Sequence, residues 1–156
     1  MKKRRKRVVK EYAEESDKLR LYRKLKSKLE LEDYVIELDR AKRRELTMLR
    51  GGTNRLRIEI GRWTRVEGFV KCLSNEVEDE KHFLLMCPIY AKEREEMFER
   101  ISEECEVNEI VRMEVEEKMQ ILIGIGWRKK GKEIRRRVVD YIKRANEIRK
   151  RYITLT

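Results

Sequence analysis

The sequence predicts a mostly α fold, in the form of a small helical domain with an irregular knuckle or hairpin insertion and at most two short strands. Leucine, isoleucine and tyrosine recur at intervals of three and four residues along most of the chain, which is the spacing of one helix face. Charged residues make up 46% of the 156 residues and hydrophobic residues 40%. This balance is typical of helices that bury one face and expose the other face to solvent.

The length of the chain is enough for one domain with a modest core. Residues 1–15 are interpreted as a basic N-terminal extension, because the first ten are too charged to pack. Residues 16–152 are interpreted as a single helical domain with a knuckle-like element at 69–90, and residues 153–156 as a tail. No internal repeat and no linker rich in proline or serine divides this domain.

Three helices are predicted before residue 52. The first begins at a cap formed by Ser16 or Asp17, and the second is short, from Leu31 to Leu38. The third covers residues 39–50, with its arginines outward, and ends at Gly51-Gly52 because glycine accepts the left-handed conformation that closes many helices. The residues expected to face inward are Leu19, Tyr22, Leu25, Leu29, Tyr34, Val35, Leu38, Leu46 and Leu49.

The middle of the chain has a less regular pattern. Apolar and polar residues alternate from Leu56 to Ile60, which allows a short strand but is ambiguous. Residues 69–87 suit an irregular loop or small hairpin that turns at Ser74-Asn75 and enters a helix near Val77. The hairpin would account for the few strand residues of the fold.

Three helices are predicted to complete the chain. The first follows Pro88, which suits a first helical turn, and reaches Cys105. Asn108 is a candidate cap for the second, which ends at Gly124-Ile-Gly126, and the last covers about 132–152 with its arginines opposite the apolar stripe. The residues expected to face inward are Tyr90, Met97, Phe98, Ile101, Ile110, Val111, Met113, Val115, Met119, Ile121, Leu122, Val138, Tyr141, Ile142, Ala145, Ile148 and Tyr152.

The net charge of +11 is distributed in blocks. Residues 1–10 hold seven Lys or Arg and no acid, residues 40–71 hold ten against three acids, and residues 128–151 hold twelve against three. Residues 74–118 hold six bases against fifteen acids, which we interpret as solvated helix faces. The basic blocks would attract polyanions through counterion release, so the sequence favours contact with nucleic acid.

Several classes of protein are disfavoured by the composition. No apolar stretch approaches the roughly 18 residues of a membrane span, and no apolar segment follows the basic start, so neither an anchor nor a secretory signal is expected. Three cysteines are too few and odd in number for a disulfide framework. We therefore expect an intracellular protein, nuclear or cytoplasmic, with no membrane partner.

The segment from residue 72 to residue 88 gathers the only histidine, the only proline and two of the three cysteines. His82 and Cys87 are separated by four residues, with Cys72 upstream, and imidazole and thiolate are typical zinc ligands. Zinc knuckles usually begin with two cysteines that are separated by two residues. Phe69 occupies the position of the first cysteine in this chain.

Two interpretations of this cluster stay open. Cys72, His82 and Cys87 could hold zinc together with water or a borrowed ligand such as Cys105. Alternatively, the knuckle has no cofactor, and its cysteines pack as small hydrophobic residues.

The knuckle is flanked by further sequence blocks in a recognisable order. These blocks are Ser16–Tyr22; Leu46, Thr47 and Arg50; Gly52, Thr53 and Asn54; Leu56, Ile58, Glu59, Gly61, Arg62 and Trp63; Val77–Phe83; Cys87, Pro88 and Tyr90; and Asp140–Arg149. Over residues 16–152 the chain resembles the region downstream of the polymerase in reverse transcriptases of non-LTR retrotransposons. The resemblance implies a truncated or domesticated copy of a region thought to help hold template RNA or target DNA.

No catalytic site is predicted. The sole histidine belongs to the knuckle, so no serine or cysteine has a histidine base, and the paired aspartates of a reverse transcriptase are absent. Three consecutive acids, Glu78 to Glu80, would diverge on a helix, and we assign them to a helix N-terminus.

The sequence thus predicts a non-catalytic nucleic-acid-binding module that contacts an RNA or DNA backbone. Alternatives are a helical protein–protein interaction or homodimerisation module, whose acidic middle docks a basic partner, and a non-functional relic. Arginines are expected to contact the phosphates of the nucleic acid, and Trp63 is the aromatic residue favoured for stacking on a base. The predicted nucleic-acid-binding residues are Arg43, Arg44, Arg50, Arg55, Arg57, Arg62, Trp63, Arg65, Arg135, Arg136 and Arg137.

Overall fold

The mostly α fold is confirmed by a computed structural model of the chain. The structure describes residues 8, 11–12, 14–16, 19–25, 31–64, 71–105, 108–124 and 130–153. Most of the predicted basic extension therefore lies outside the described residues. The α-helices numbered here are α1 (Arg20–Leu25), α2 (Asp33–Glu37), α3 (Arg40–Arg50), α4 (Arg57–Thr64), α5 (Ala91–Cys105), α6 (Val115–Ile123) and α7 (Gly131–Ile153).

The last helix, α7, is the centre of the fold and packs against α2, α3, α5 and α6. Its apolar stripe is buried from Ile134 to Ala145, as the spacing of apolar residues predicts. Burial of each isoleucine and valine in this stripe stabilises the fold by roughly 1.5–3 kcal/mol. Although α7 is long, no helix in the described ranges is both long and apolar enough to cross a membrane.

Two of the arginines that were expected opposite this stripe are buried. Arg135 is 4% exposed and forms an ion pair with Glu37 of α2, and Arg149 is 8% exposed. The expectation for Tyr152 is also wrong, because this residue is 40% exposed beside the end of the helix. The helix packs on several sides, so positions outside the apolar stripe also face neighbours.

The outer seam between α5 and α7 is held by charge. Glu96 pairs with Arg144, and Glu104 pairs with Arg137. The hydrogen bond from Arg144 lowers the pKa of Glu96 below its ordinary value. Such exposed pairs fix the register of the two helices more than they add stability.

The helix α3 begins and ends where the sequence predicts. Asp39 caps it, because its Oδ1 accepts a hydrogen bond from Lys42 N at 2.9 Å, and this bond lowers the pKa of Asp39. The helix ends at Gly51, and Gly52 takes the left-handed conformation with φ 62°. The preceding helix α2 is shorter than predicted, and Asp17 and Leu29 of the first predicted helix lie outside the described residues.

The outward orientation expected for the arginines of α3 is wrong for Arg50, which is 1% exposed. Position 50 follows Leu46 by one helical turn and therefore shares its inward face. The guanidinium is 2.5 Å from Glu32 Oε2, and its carbon lies 5.0 Å from the ring centre of Tyr34. A carboxylate and an aromatic face together compensate for the loss of water around this charge.

The segment allowed as a strand near residue 58 is helical, since it belongs to α4. Its first turn is anchored by Glu78, which is far away in the sequence. Glu78 Oε2 accepts from Arg57 N at 2.9 Å, and the Glu78 carbonyl accepts from Ile58 N at 3.3 Å. A carboxylate at a helix N-terminus satisfies amides that have no partner within the helix.

The predicted loop or hairpin of the knuckle turns at Ser74-Asn75 as expected, and its residues 69 and 70 lie outside the described residues. Lys71 and Val77 form an antiparallel bridge, and Asn75 turns the chain with φ 63°. The following helix starts at Glu80, three residues later than predicted, because Asp79 caps it through a 2.7 Å hydrogen bond from His82 N. It continues as a single π-helical turn, His82–Met86.

The helix predicted after Pro88 is confirmed as the 3-10 turn Pro88–Tyr90 followed by α5. The next predicted helix is divided, since a 3-10 turn at Asn108–Val111 precedes α6 and Val111 is 53% exposed. Gly124 ends α6 at a point where a Cβ atom would lie 2.4 Å from the Gln120 carbonyl oxygen. Gly126 and Trp127 lie outside the described residues.

One buried carboxyl group in α4 has little compensation. Glu59 is 1% exposed, and its carboxyl has no hydrogen bond to another side chain in the described ranges. Burial, followed by the negative charge of Glu80, raises its pKa from 4.5 to about 7. The ionised form is therefore destabilising at neutral pH.

We predict that Glu59→Gln will stabilise the protein at a pH above about 7, by on the order of 2 kcal/mol. The raised pKa means that the folded state binds more protons than the unfolded state between pH 4.5 and about 7. The free energy of unfolding of the wild type should thus fall through this window, and the difference from the variant should grow. Urea unfolding of both proteins from about pH 4 to about pH 8 measures this. Parallel pH profiles would contradict the prediction.

Candidate metal centre and basic cleft

The three predicted ligands of the knuckle are brought together and buried. Cys72 Sγ, one ring nitrogen of His82 and Cys87 Sγ all lie within 4.8 Å of one another. Cys72 follows the hairpin bridge, whereas His82 and Cys87 bracket the π-helical turn. This wider turn closes between residues five apart, and Cys87 N donates to the His82 carbonyl at 2.7 Å. The turn therefore places the two downstream ligands next to each other.

Polar neighbours orient this cluster. Glu76 Oε2 lies 3.1 Å from His82 Nδ1, and Cys72 Sγ lies 3.1 Å from His82 Nε2. Ser74 N donates to Cys72 Sγ at 3.3 Å. A carboxylate that holds the Nδ1 proton leaves the Nε2 lone pair directed at the two sulfurs, as in many metal sites.

The cluster could hold a metal ion. Metal–ligand bonds of about 2.3 Å to sulfur and about 2.0 Å to nitrogen place tetrahedral ligands about 3.5–3.8 Å apart, so a small adjustment of these side chains is enough. Burial raises the pKa of Cys87 to about 11, so binding would displace its proton. In the alternative without metal, the Cys72 thiol hydrogen-bonds to His82 Nε2. Phe69 lies outside the described residues, as does the side chain of Cys105.

The acidic triplet diverges, as predicted, and each member has a separate role. Glu78 anchors α4 and accepts from Tyr90 Oη at 3.1 Å, Asp79 caps its own helix, and Glu80 forms an ion pair with Arg20. Burial raises the pKa of Tyr90, which keeps the phenol a donor to Glu78. Within the described ranges, the cysteine–histidine cluster is the only group of three or more potential metal ligands.

A second feature is a cleft of about 720 Å³ between α3 and the C-terminal half of α7. Five basic residues from separate parts of the chain line it, with two acids. Its lining residues are Arg44, Glu45, Met48, Asn54, Arg55, Ile60, Lys143, Asn146, Glu147, Arg149 and Lys150. A neighbouring depression shares Arg44 and Met48 and adds Arg40 and Arg43, so the basic surface continues along α3.

The predicted nucleic-acid-binding residues fall into distinct places. Arg43, Arg44 and Arg55 border the cleft or the adjoining depression. Arg50 and Arg135 are buried in ion pairs and are therefore not available to phosphates.

The other predicted residues do not line the cleft. Arg57 and Arg62 are half-buried on α4, whose exposed Trp63 is near its end. Arg136 is exposed on the first half of α7, and its neighbour Arg137 pairs with Glu104 and Asp140. Arg65 lies outside the described residues.

Sequence reasoning assigned the basic block 128–151 to nucleic acid, but it did not name the residues of α7 that line this cleft. The spacing of three residues from Lys143 to Asn146 and of four from Asn146 to Lys150 is that of one helix face. This spacing could have shown that the three residues lie on the same side of α7. Arg149 follows Asn146 by three residues and shares this spacing, but its burial could not be read from the sequence. It reaches the cleft because its guanidinium lies 5.6 Å from the ring centre of Phe83 and donates to the Asn54 carbonyl.

The resemblance to reverse transcriptase C-terminal regions involves both features, since the knuckle and Asn54 belong to the matching sequence blocks. It stays a prediction from the sequence. No protein-family model, curated protein or solved structure matches this chain.

Proposed function

We propose that the chain is a non-catalytic nucleic-acid-binding module whose contact surface is the basic cleft between α3 and α7. The observation that carries this proposal is the convergence of Arg44, Arg55, Lys143, Arg149 and Lys150 on one cleft, against two acids. The two groups of bases are almost a hundred residues apart in the sequence, so folding concentrates the charge. A groove with this charge suits the regularly spaced phosphates of a nucleic acid.

The direction of the cleft also supports this proposal. The bases of α3 extend from the cleft into the neighbouring depression at Arg40 and Arg43. A polyanion could follow this line over several phosphates, with contacts that position the strand but do not read its sequence. The resemblance to a reverse transcriptase region suggests the origin of such a module, and a nuclear or cytoplasmic location would match it.

We further propose that Cys72, His82 and Cys87 bind zinc, which would cross-link the knuckle rather than take part in a reaction. Nitrogen and sulfur donors in a buried site suit zinc, and Glu76 supplies the carboxylate that usually supports a ligating histidine. His82 directly precedes Phe83, whose ring lies under Arg149 of the cleft. Zinc would thereby rigidify the wall of the basic cleft.

We predict that Arg44→Glu/Lys143→Glu will weaken nucleic-acid binding by at least about tenfold and reduce the salt slope by about two. Both side chains line the cleft and neither forms an ion pair in the described ranges, so reversal should act on the ligand and not on the fold. The measurement is a fluorescence titration of nuclease-treated protein with single-stranded RNA, hairpin RNA and duplex DNA at several salt concentrations.

Arg100→Glu/Arg112→Glu is the matched control, since both residues are exposed, lie away from the cleft and give the same change in net charge. Equal losses in the two variants would disprove the assignment to the cleft. If the wild type binds none of the three ligands at low salt, the proposed function is wrong. Oligomeric state in rising salt would then test the homodimerisation module.

We predict that protein purified without chelators will contain close to one equivalent of zinc, and that Cys72→Ser/Cys87→Ser will lose it. With Co²⁺ in place of zinc, sulfur-to-metal charge-transfer absorption should appear in the wild type and vanish in the variant. Cys105→Ser is the control, and it also tests whether Cys105 supplies a ligand. A zinc content below about a tenth of an equivalent would leave the knuckle without metal and contradict the proposal.

A further inference from the structure

We infer that the floor of the basic cleft recognises a ribose 2′-hydroxyl group, so that the protein prefers RNA to DNA. This inference rests on the proposed function, because it names which nucleic acid the cleft takes. It is carried by two asparagines and one arginine whose hydrogen-bonding groups are incompletely used.

The two asparagines form a fixed amide pair in the cleft wall. Asn146 Nδ2 donates to Asn54 Oδ1 at 3.2 Å and to Glu45 Oε2 at 3.5 Å. The carboxylate of Glu45 accepts only, so it determines which end of the Asn146 amide is the NH₂ group. Asn54 Nδ2 and Asn146 Oδ1 then have no hydrogen-bond partner among the described residues. The pair thus retains one donor and one acceptor on two amides in direct contact.

Arg149 adds a positive charge beside this pair. Its Nη2 donates to the Asn54 carbonyl, whereas its Nη1 has no hydrogen-bond partner in the part of the chain that the structure describes. The residue is more than nine-tenths buried and lines the cleft. A guanidinium that is held in this way and still has unused N–H groups can bind one phosphate group.

A ribonucleotide matches the combination of these groups. A hydroxyl group carries one donor and two acceptor lone pairs, so it can satisfy Asn54 Nδ2 and Asn146 Oδ1 together. In RNA the 2′-hydroxyl is on the carbon next to the one that carries the 3′-phosphate, whereas base edges lie farther from the backbone. A phosphate at Arg149 therefore brings a 2′-hydroxyl, rather than a base, to the amide pair.

Binding includes a small rearrangement of the cleft floor. The unpartnered atoms are covered in this structure, and Asn146 is only half-buried. Rotation of the Asn146 side chain opens the amide pair to the cleft. Buried groups without partners disfavour the closed arrangement, because neither group recovers the hydrogen bond that it would make to water.

The test is an anisotropy titration of the intact protein with one mixed single-stranded sequence in four forms: RNA, DNA, 2′-fluoro RNA and 2′-O-methyl RNA. We expect RNA to bind about three- to tenfold more tightly than DNA, the effect of one or two hydrogen bonds. The 2′-fluoro form keeps the sugar pucker of RNA but has no hydroxyl proton, so it should bind like DNA. In Asn146→Ala the ratio of the RNA affinity to the DNA affinity should fall to about one, because the amide that recognises the hydroxyl group is removed.

Several results would overturn the inference and leave the proposed function intact. These are equal, salt-sensitive binding of RNA and DNA, a 2′-fluoro form that binds like RNA, and an RNA preference that survives Asn146→Ala. Because the modified strands are tested on the wild type, the inference stays testable even if Asn146→Ala fails to fold. Failure of every strand to bind would refute the proposed function itself.

Discussion

The ring of Phe83 holds the knuckle, α7 and the basic cleft in one arrangement. It is fully buried, lies edge-on to Tyr90 with ring centres 5.2 Å apart, and contacts Tyr141 at 5.7 Å. The guanidinium of Arg149 covers the ring at 5.6 Å, and Tyr141 Oη donates to the Phe83 carbonyl. Each aromatic contact adds about 0.5–1.5 kcal/mol to the burial of the ring. The knuckle is therefore part of the core and not an appendage.

Buried charges connect segments that are distant in the sequence. A chain with 46% charged residues can fold around an apolar core when each charged side chain that is buried has a partner of opposite charge or a hydrogen-bond partner. The Glu78 carboxylate accepts hydrogen bonds from Arg57 N and Tyr90 Oη, and it thereby joins α4 to the knuckle. Removing either donor would leave a buried charge partly unpaired, which costs more than the contact itself contributes. Glu59 accepts no hydrogen bond from a side chain of the described ranges, and burial followed by the charge of Glu80 raises its pKa to about 7.

The sequence predicts those parts of the fold that local pattern determines. The helices α5 and α7, the glycine end of α3, the hairpin and the ligand trio follow from periodicity, turn residues and spacing. The helix α4 does not, because its N-terminal turn is anchored by Glu78, which is 21 residues beyond Arg57. The burial of Arg50 and Arg135 depends on partners in other helices. The cleft was missed for the same reason, since Asn54 and Asn146 meet only after folding.

Packing around Phe83 also explains how the knuckle could keep its shape without a metal. Cys87 and Phe83 are fully buried, and the backbone hydrogen bond from Cys87 to His82 closes the π-helical turn regardless of metal. Glu76 and Cys72 hold the imidazole from opposite sides. These contacts define the position of His82 through protein groups alone, so a metal would add stability to a geometry that already exists. Because Phe83 follows His82 directly and supports Arg149, the same contacts position the cleft floor.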